Sequence, residues 1–278
     1  MSTAKIALLG AVADADVIAA IRRAAGGNPL LGIGLDHRAG VPAERLCGAS
    51  GGDGGRLGGG LDATAMDVVA DLIDRVAARL GARERRVAAS LVVLGYSARL
   101  VGPAVSALLR EDMLLDLRPS NVRFAYDPQR GFSLDLVRPA AWRGDRAALH
   151  GGWHRVVIDD HLRPVVEAVR AVVPVAAGLL WGNVASGVAG ALRAVASGDA
   201  ASGDAASGDA PPGETGPSGM VARCHAEGLT LLDRGPLRGS GYLTLRSGRL
   251  SFARRTCCLY YRLDGGGMCG DCALRRTY

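Results

Sequence analysis

Four of the six cysteines lie close together near the end of the sequence, at Cys257, Cys258, Cys269 and Cys272. Their spacing, C-C-x10-C-x2-C, admits two disulfides, a zinc site or an iron–sulfur cluster. Structural zinc sites usually present two C-x2-4-C knuckles to one tetrahedral ion, and only Cys269 and Cys272 make such a knuckle. The adjacent side chains of Cys257 and Cys258 diverge in an extended chain, which suits the separate ligand positions of a two-iron cluster. The spacing therefore favours an iron–sulfur cluster over zinc, and zinc over disulfides.

The residues around these cysteines resemble a known family. The run from Arg254 to Cys272 reads R-R-T-C-C-L-Y-Y-R-L-D-G-G-G-M-C-G-D-C, which is similar to the C-terminal signature of FhuF-type ferric-siderophore reductases. Weaker similarity extends to residues 161–166 and 179–186, and we see none before about Leu61. The resemblance implies that the four cysteines are the ligands of one 2Fe-2S cluster.

By the same resemblance, the protein is an oxidoreductase of iron transport that reduces chelated Fe(III) to Fe(II) one electron at a time. Hard oxygen donors hold ferric iron more tightly than ferrous iron, so one added electron weakens the chelate. Such a reaction requires no catalytic acid, base or nucleophile. No flavin or nicotinamide motif is present in the sequence, so we expect a separate electron donor such as a ferredoxin or a reductase. We also expect transient proximity to a membrane transporter that delivers the ferric siderophore.

Two other classes of function fit the same cysteines. One is an iron- or redox-sensing protein that binds a partner when its cluster changes state. The other is a siderophore-binding protein with a structural metal site made of the four cysteines. A visible spectrum that bleaches on reduction distinguishes an iron–sulfur cluster from zinc, and electron transfer to a ferric chelate distinguishes a reductase from a sensor.

Positive charge is concentrated around the cysteines. The chain has a net charge of +6 and a pI near 9.3, but nine arginines and only two aspartates lie from Arg234 onward. The rest of the chain is close to neutral, and no nucleic-acid-binding motif is present, so we expect no nucleic-acid partner. Because the arginine fork suits chelate oxygens, we predict chelate contacts from Arg255 and Arg262, together with Tyr260 or Tyr261. Neutralisation of the cluster's charge is an equal alternative for both arginines.

The cysteine usage also bears on the cellular compartment. The first residues contain a short apolar run, which Asp14 and Asp16 follow at once, and this pattern does not predict a signal peptide. Thiols that act as metal ligands fit a reducing environment. We therefore expect a cytoplasmic protein.

Apolar periodicity predicts an α+β chain that is predominantly helical, with β-hairpins and a C-terminal iron–sulfur loop. Helices are predicted over residues 1–25, 62–80, 87–100, 103–115, 151–195 and 221–232. Hairpins are predicted over residues 122–137 and 242–252. The predicted domains are an N-terminal helical and glycine-rich region (1–60), a helical main domain (61–195), a disordered linker (196–219) and a 2Fe-2S-binding region (220–278).

Two stretches have an unusual composition. Residues 48–60 are rich in glycine, and a surface loop is favoured there over a phosphate-binding loop because no Lys-Ser/Thr pair follows. Residues 171–192 carry no charge, and a buried core helix is favoured over a membrane span because Pro174 and four glycines lower the hydrophobicity. Within this helix, small residues recur at every fourth position and predict a face that another backbone approaches closely: Gly178, Gly182, Ser186 and Gly190.

The remaining polar and sulfur-containing side chains receive ordinary roles. Trp181 and Asn183 flank the small-residue face and are candidates to line a pocket. His154 and His161 share a helix face but have no third convergent ligand, so core or polar roles are favoured over a metal site. The two cysteines outside the C-terminal group are not expected to be cluster ligands: Cys47 and Cys224.

Overall fold

The computed structural model describes residues 9–35, 40–47, 63–202 and 219–275. These residues form a predominantly helical body with small antiparallel sheets, which confirms the predicted α+β class. The helices are α1 (Asp14–Ala25), α2 (Glu44–Cys47), α3 (Ala63–Leu80), α4 (Arg85–Arg110), α5 (Arg146–Trp153), α6 (Arg163–Val172), α7 (Ala177–Ser202) and α8 (Gly219–Leu232). A π-helical stretch (His154–Leu162) joins α5 to α6.

The strands are short, and within the described residues they form three separate sheets. They are β1 (Gly10–Ala11), β2 (Val41–Pro42), β3 (Leu114–Leu115), β4 (Val122–Asp127), β5 (Gly131–Leu136), β6 (Ala141–Arg143), β7 (Gly241–Arg246) and β8 (Arg249–Arg254). The sheets have the strand orders β1-β6-β3, β2-β4-β5 and β7-β8. Every strand pair in them is antiparallel. Pairs β4–β5 and β7–β8 are hairpins, whereas helices separate β1 from β6 and β2 from β4 along the chain.

Helices α4 and α7 are the centre of the molecule and pack along each other more extensively than any other pair of elements. Gly187 on α7 lies at this contact, where a Cβ would be in van der Waals contact with the Cα of Ala98 on α4 at 3.4 Å. The core between and around these helices is built mainly from Ala, Val and Leu. Helices α3, α1 and α6 cover other sides of α4.

Two helix boundaries differ from the prediction. Two helical segments were expected on either side of Pro103, but α4 is one helix that continues through it. Proline removes one helical hydrogen bond, and the complete burial of residues 100–109 offsets that loss. Leu115, predicted to end the second helix, instead lies in β3 and pairs with Ala141. The first helix begins at Asp14, because Gly10–Ala11 pairs with β6; residues 1–8 lie outside the described residues.

Both predicted hairpins are present. In β4–β5, Val122 pairs with Leu136 and Asp127 with Gly131. The carboxylate of Asp127 accepts hydrogen bonds from the backbone N–H groups of the turn, and Gly131 takes a φ of 80°, which glycine adopts without strain. In β7–β8 the register runs from Gly241 opposite Arg254 to Arg246 opposite Arg249.

Among the described residues, two helices are long and apolar enough to cross a membrane by length and composition alone. These are α4 and the part of α7 up to Gly198, and 72% and 78% of their apolar windows are buried inside the protein. Such burial is typical of core helices, which agrees with the interpretation favoured for residues 171–192. That stretch is not one helix, since α6 ends at Val172 and α7 begins only at Ala177, beyond Pro174.

The predicted linker lies only partly within the described residues. Helix α7 runs on to Ser202, so the first residues assigned to the linker are helical. Residues 203–218 lie outside the described residues, as does the glycine-rich stretch over 48–60. After this gap, α8 and β8 both pack against α7. The division of the chain into four regions stays a prediction.

Candidate metal centre

Hairpin β7–β8 leads directly to the first cysteine pair, because β8 ends at Arg254 and Cys257 follows closely. Immediately after Cys258, Leu259 adopts a left-handed backbone with a φ of 67°, which is uncommon for a residue other than glycine. A 3₁₀ turn over Tyr260–Arg262 comes next. The chain then reverses toward the second cysteine pair.

The two cysteine pairs come together in space. The Sγ atoms of Cys258 and Cys269 lie 3.7 Å apart. The thiol of Cys257 lies within electrostatic range of the thiols of Cys258 and Cys272. The structure thus gathers all four predicted ligands, and each pair contributes to the same group of sulfur atoms.

Backbone N–H groups support two of these sulfur atoms. The N–H of Leu259 donates to Cys257 Sγ at 3.3 Å, and the N–H of Leu274 donates to Cys272 Sγ at 3.4 Å. The N–H of Cys272 donates to the carbonyl of Cys269 at 3.1 Å and closes the knuckle between them. Hydrogen bonds to cysteine sulfur are one of the means by which a protein sets the reduction potential of an iron–sulfur cluster.

The thiols lie at the boundary between the protein interior and solvent. Cys258 and Cys272 are buried, whereas Cys257 and Cys269 are partly exposed. Burial raises the pKa of Cys257, and burial together with the neighbouring Cys258 thiol raises the pKa of Cys269 to about 11. Transfer out of water disfavours a thiolate, so metal binding here must displace protons from the thiols.

The donor set fits a 2Fe-2S cluster. Four thiols supply the all-sulfur ligands of a 2Fe-2S cluster, two for each iron. The partial exposure of Cys257 and Cys269 keeps such a cluster near the surface.

Comparison with known families leads to the same cofactor. Residues 254–274 match the family model described as the FhuF 2Fe-2S C-terminal domain. The chain carries an FhuF-type 2Fe-2S domain. Its cofactor is a 2Fe-2S cluster, and the match supports an FhuF-like assignment that relates the chain to the handling of siderophore iron. The search of curated proteins finds no match to this chain.

Arg254 anchors the FhuF-type domain to the helical body. Its side chain is only 4% exposed. Its Nη2 donates to Asn183 Oδ1 at 2.7 Å, and its Nε donates to the carbonyl of Thr256 at 3.0 Å. A buried guanidinium is stable only when its N–H groups are bonded, and these partners meet that need. The positive charge of Arg254 also favours the thiolate forms of Cys257 and Cys269.

A second chain of hydrogen bonds connects the cysteines to α4. The amide of Asn183 donates to the carbonyl of Ser90 at 2.7 Å and to Ser90 Oγ at 2.9 Å. The hydroxyl of Ser90 in turn donates to the carbonyl of Cys258 at 2.7 Å. Asn183 and Ser90 are completely buried. The FhuF-type domain, α7 and α4 therefore share one buried polar network that runs from Arg254 to Cys258.

The FhuF-type domain packs on the predicted small-residue face of α7. The hydroxyl of Thr256 donates to the carbonyl of Gly178 at 3.2 Å. A Cβ at Gly182 would collide with that hydroxyl. Arg254 Nη1 lies 3.5 Å from Ser186 Oγ, so three of the four small residues touch the residues just before the cysteines. The fourth, Gly190, has no atom of the described residues within 4 Å of where its Cβ would lie.

Ion pairs and a small apolar cluster fix the rest of the domain. Asp271, between the last two cysteines, accepts two hydrogen bonds from Arg193 on α7 at 3.0 and 3.4 Å. Glu84 directly precedes α4, and its Oε1 lies 2.6 Å from Arg262 Nη1. Leu259 and Leu263 pack against side chains from α3, α4 and the turn that joins them: Leu80, Ala82, Val87, Leu91 and Leu94.

The structure gives individual environments to the residues predicted to contact the chelate. Arg255 stacks over the ring of Tyr242 at 4.7 Å and donates to its hydroxyl at 2.7 Å. Arg262 is held between Glu84 and the hydroxyl of Tyr261, so a carboxylate already balances its charge. Tyr260 and Tyr261 are 40% and 42% exposed. Chelate binding by these residues stays a prediction.

The other two cysteines lie apart from this group, in the helical elements of the body. Cys47 ends α2, and its Sγ is 3.9 Å from the carbonyl of His161. Burial raises the pKa of the Cys47 thiol to about 12. Cys224 is buried in α8.

Both histidines of the π-helical stretch are bonded inside the core. His154 Nε2 donates to the carbonyl of Leu231 at 2.9 Å. His161 Nδ1 donates to the carbonyl of Leu117 at 2.5 Å, and its Nε2 accepts from the hydroxyl of Tyr96 at 2.7 Å. Burial lowers the pKa of each histidine to about 4, so both are neutral. The core role predicted for His154 and His161 agrees with these bonds.

Sequence reasoning did not find the side chains that hold the domain in place. Ser90, Glu84 and Arg193 each bond to it from a different part of the body. Asn183 was noticed as a pocket candidate, but it is fully buried and its amide joins Ser90 to Arg254. The available signal was a serine and an asparagine within apolar stretches of two helices, because a buried polar group requires a partner.

Proposed function

We propose that this protein is a ferric-siderophore reductase that delivers one electron to chelated Fe(III) and so releases Fe(II) in the cytoplasm. The observation that supports it most is the gathering of four thiols at the surface of the body, within a segment that matches an FhuF 2Fe-2S domain. A cluster at the surface can exchange electrons with a chelate that is too large to enter a packed core. Ferrous iron then leaves the hard oxygen donors for softer ligands.

The bound 2Fe-2S cluster supplies a centre that accepts and gives single electrons. The chain's own residues position that centre and set its charge. Arg254 places a positive charge beside the thiols inside the protein, and Ser90 holds the carbonyl of Cys258. Positive neighbours stabilise the more negative, reduced form and raise the potential.

The outer face of the domain is available to partners. Four large apolar side chains are 40% to 52% exposed there: Tyr260, Tyr261, Met268 and Leu274. We propose that a separate electron donor, such as a ferredoxin or a reductase, approaches this face. Contacts of a chelate with Arg255, Arg262, Tyr260 or Tyr261 belong to the same proposal. Arg262 must then either break its ion pair with Glu84 or contact the chelate while that ion pair stays intact.

The function is tested on the purified protein without air. Its visible spectrum, iron and acid-labile sulfide are measured first, and one cluster per chain is expected. The reduced protein is then mixed with a ferric siderophore, and Fe(II) is captured with a ferrous-specific chelator while the cluster spectrum is followed. We expect reoxidation with one Fe(II) for each cluster. A reduced cluster that persists in the presence of the ferric chelate would contradict the proposal and favour a sensor, and zinc in place of iron would favour a structural site.

A further inference from the structure

Hairpin β7–β8 has one face toward the body and one toward solvent. Its side chains alternate between the two faces, as the pleat of a strand requires. The inward set is buried in the core: Leu243, Leu250 and Phe252. The opposite set is at least partly exposed: Tyr242, Thr244, Arg246, Arg249, Ser251 and Ala253. These six residues pair directly across the two strands, so they form one continuous surface, the hairpin face.

This part of the chain carries positive charge without any carboxylate of its own. Residues 234–263 contain seven arginines and no Asp or Glu. Two of the seven are ion-paired and one is buried: Arg238, Arg262 and Arg254. The other four are exposed and make no ion pair among the described residues: Arg234, Arg246, Arg249 and Arg255. A group of cations that the protein leaves unbalanced attracts an anionic partner.

A hollow adjoins the hairpin face at the edge of β7. It has a volume of about 640 Å³, and its walls come from the end of α8, the turn that follows and β7. Three leucines form its apolar part: Leu229, Leu232 and Leu243. Arg234 lines it as well, and a Cβ on its wall residue Gly239 would lie 3.7 Å from Arg255 Nη1. An apolar centre with a charged rim is the usual arrangement of a protein–protein interface.

The hairpin face leads to the cysteines without an intervening element. Arg255 stacks over the ring of Tyr242, and its backbone N–H donates to the carbonyl of Ser240 at 2.9 Å. Cys257 is two residues beyond Arg255, so the Cα atoms of these two residues are at most about 7.6 Å apart. Cys257 is itself partly exposed. A protein that covers Tyr242 therefore has its surface beside one of the cluster ligands.

The size and composition of the hairpin face suit a transient partner. Each strand has six residues and is therefore about 20 Å long. A face of this size matches the weak encounters of electron-transfer proteins, which bury less than about 1,200 Å² in total. Tyrosine and arginine are the residue types that contribute most to binding at protein interfaces. The hollow also favours a protein over a membrane, because a flat lipid surface would leave it unfilled.

We propose that the hairpin face and the adjoining hollow are the docking site of the electron donor, and that the donor is a one-electron carrier protein with an acidic surface. The inference rests on the proposed reductase function and names the chemistry of the partner that supplies its electron. Carboxylates of the donor lie against Arg234, Arg246 and Arg249, and an apolar side chain enters the hollow beside Leu229. One electron passes from the reduced donor, which is oxidised, to the cluster, which is reduced, and no bond is formed or broken.

The test measures docking separately from electron transfer. All proteins are oxidised, and binding to the cluster-loaded chain is followed by biolayer interferometry with two probes, an acidic 2Fe-2S ferredoxin and an acidic flavodoxin. We expect Arg246→Glu/Arg249→Glu to raise the Kd about tenfold, because two attractions become two repulsions. The loss should lie mainly in the association rate. The variant Arg246→Lys/Arg249→Lys keeps both charges and should bind within about twofold of the wild type. Salt at about 0.5 M should weaken wild-type binding more than binding of the glutamate variant.

The matched control is Arg22→Glu/Arg143→Glu, which makes the same change in net charge on α1 and β6. Both arginines are exposed and form no ion pair within the described part of the chain, and the Kd should change by less than about twofold. Leu229→Ala tests the hollow and should speed dissociation with little change in the association rate. Arg255 is left intact, because a chelate contact is also predicted for it. An unchanged cluster spectrum verifies that each variant is folded.

Two results would overturn the docking site: equal Kd values for the wild type and Arg246→Glu/Arg249→Glu, or no binding of either probe to the wild type. Binding of the wild type, but not of this variant, to phosphatidylglycerol vesicles without binding to either probe would assign the face to a membrane instead. The reductase function is judged on chemically reduced protein. If that protein reduces a ferric siderophore while docking fails, only the docking site is lost. If the probes dock as expected but the siderophore is not reduced, the site stands and the reductase function fails.

Discussion

The helical body and the FhuF-type domain are ordered by different forces. In the body, α4 is buried almost along its whole length by apolar neighbours. Over residues 254–275, by contrast, the buried side chains are few: Arg254, Cys258, Leu263 and Cys272. So small a segment cannot bury enough apolar surface to fold alone, and such segments usually need a metal or other cross-links. Here the polar anchors to α4 and α7 and the cluster take the place of a core.

The largest expected effect is loss of the cluster after substitution of a ligand. Cys258→Ser and Cys272→Ser should each abolish the 2Fe-2S absorbance, because serine does not replace a thiolate toward iron. Far-UV circular dichroism should change little, since the body keeps its own core. Cys47→Ser and Cys224→Ser are the matched controls and should retain iron and sulfide. A cluster that survives in Cys258→Ser but is lost in Cys224→Ser would refute the ligand assignment.

Acid should weaken the body through its two buried histidines. Their folded pKa values of about 4 lie below the unfolded value of 6.5, so the unfolded state binds protons first as the pH falls. The free energy of unfolding should therefore decrease between pH 6.5 and 4, by up to about 3 kcal/mol for each histidine. Denaturant titrations followed by circular dichroism measure this, and His161→Gln should reduce the slope. An unchanged slope in that variant would show that other groups cause the acid sensitivity.

Removal of a polar anchor should affect the domain and spare the body. Asn183→Ala removes the acceptor of the buried Arg254 Nη2 and the amide that bonds to Ser90, and a buried group left unsatisfied costs about 1–3 kcal/mol. We expect the cluster to be lost to a chelator about tenfold faster, as measured by the decay of visible absorbance. The contrasting variant is Leu108→Ala in the buried part of α4, which should lower the melting temperature of the body by opening a cavity. Equal loss of cluster in both variants would mean that the two regions are not separately stabilised.

Two glycines on the small-residue face of α7, Gly182 and Gly190, should respond differently to substitution by alanine. Gly182→Ala introduces a Cβ that collides with Thr256, so we expect destabilisation of the domain by about 1 kcal/mol, at the low end for overpacking. In Gly190→Ala the new Cβ meets no described atom within 4 Å, and helix propensity should stabilise α7 by about 0.5–1 kcal/mol. Chelator challenge and thermal melting measure both changes. Equal changes in cluster loss and melting temperature in both variants would contradict the close contact between Gly182 and Thr256.

The smallest expected effect concerns the stretch between α7 and α8. Deletion of residues 203–209 shortens a repeat of small and acidic residues whose composition cannot form a core. Because loop-closure entropy changes by only about 0.6 kcal/mol per doubling of length, the melting temperature and cluster content should hardly move. Colourless or insoluble protein after this deletion would show that the stretch supports one of the two regions.

The sequence was most informative where one residue type determines the chemistry or the geometry. The spacing of the cysteines favoured an iron–sulfur cluster, and the resemblance carried by the residues around them implied the 2Fe-2S type. The small residues of α7 predicted a close backbone approach, although not that Thr256 would be the neighbour. Alternation around Asp127 and Gly131 predicted a hairpin because the turn chemistry is local. Pro103 misled the helix prediction, since burial of the surrounding residues overrides a local breaker.

The anchors could not be predicted because they join residues far apart in the chain. Ser90 and Cys258, or Arg193 and Asp271, meet only after α4 and α7 have packed. A single serine or arginine forms no sequence motif that would identify a partner so far away in the chain.

The contacts that hold the cysteine segment on the body have a consequence for the order of biosynthesis. The body's contact residues Ser90, Gly182 and Asn183 precede the cysteines in the chain, so the ribosome synthesises them before the first ligand thiol emerges. The body can therefore fold first and receive the cysteine segment onto a finished surface, and the insertion of iron and sulfide becomes the last step of maturation. Cells deprived of iron should then accumulate a folded, colourless precursor that is ready to be loaded, and not an aggregated chain.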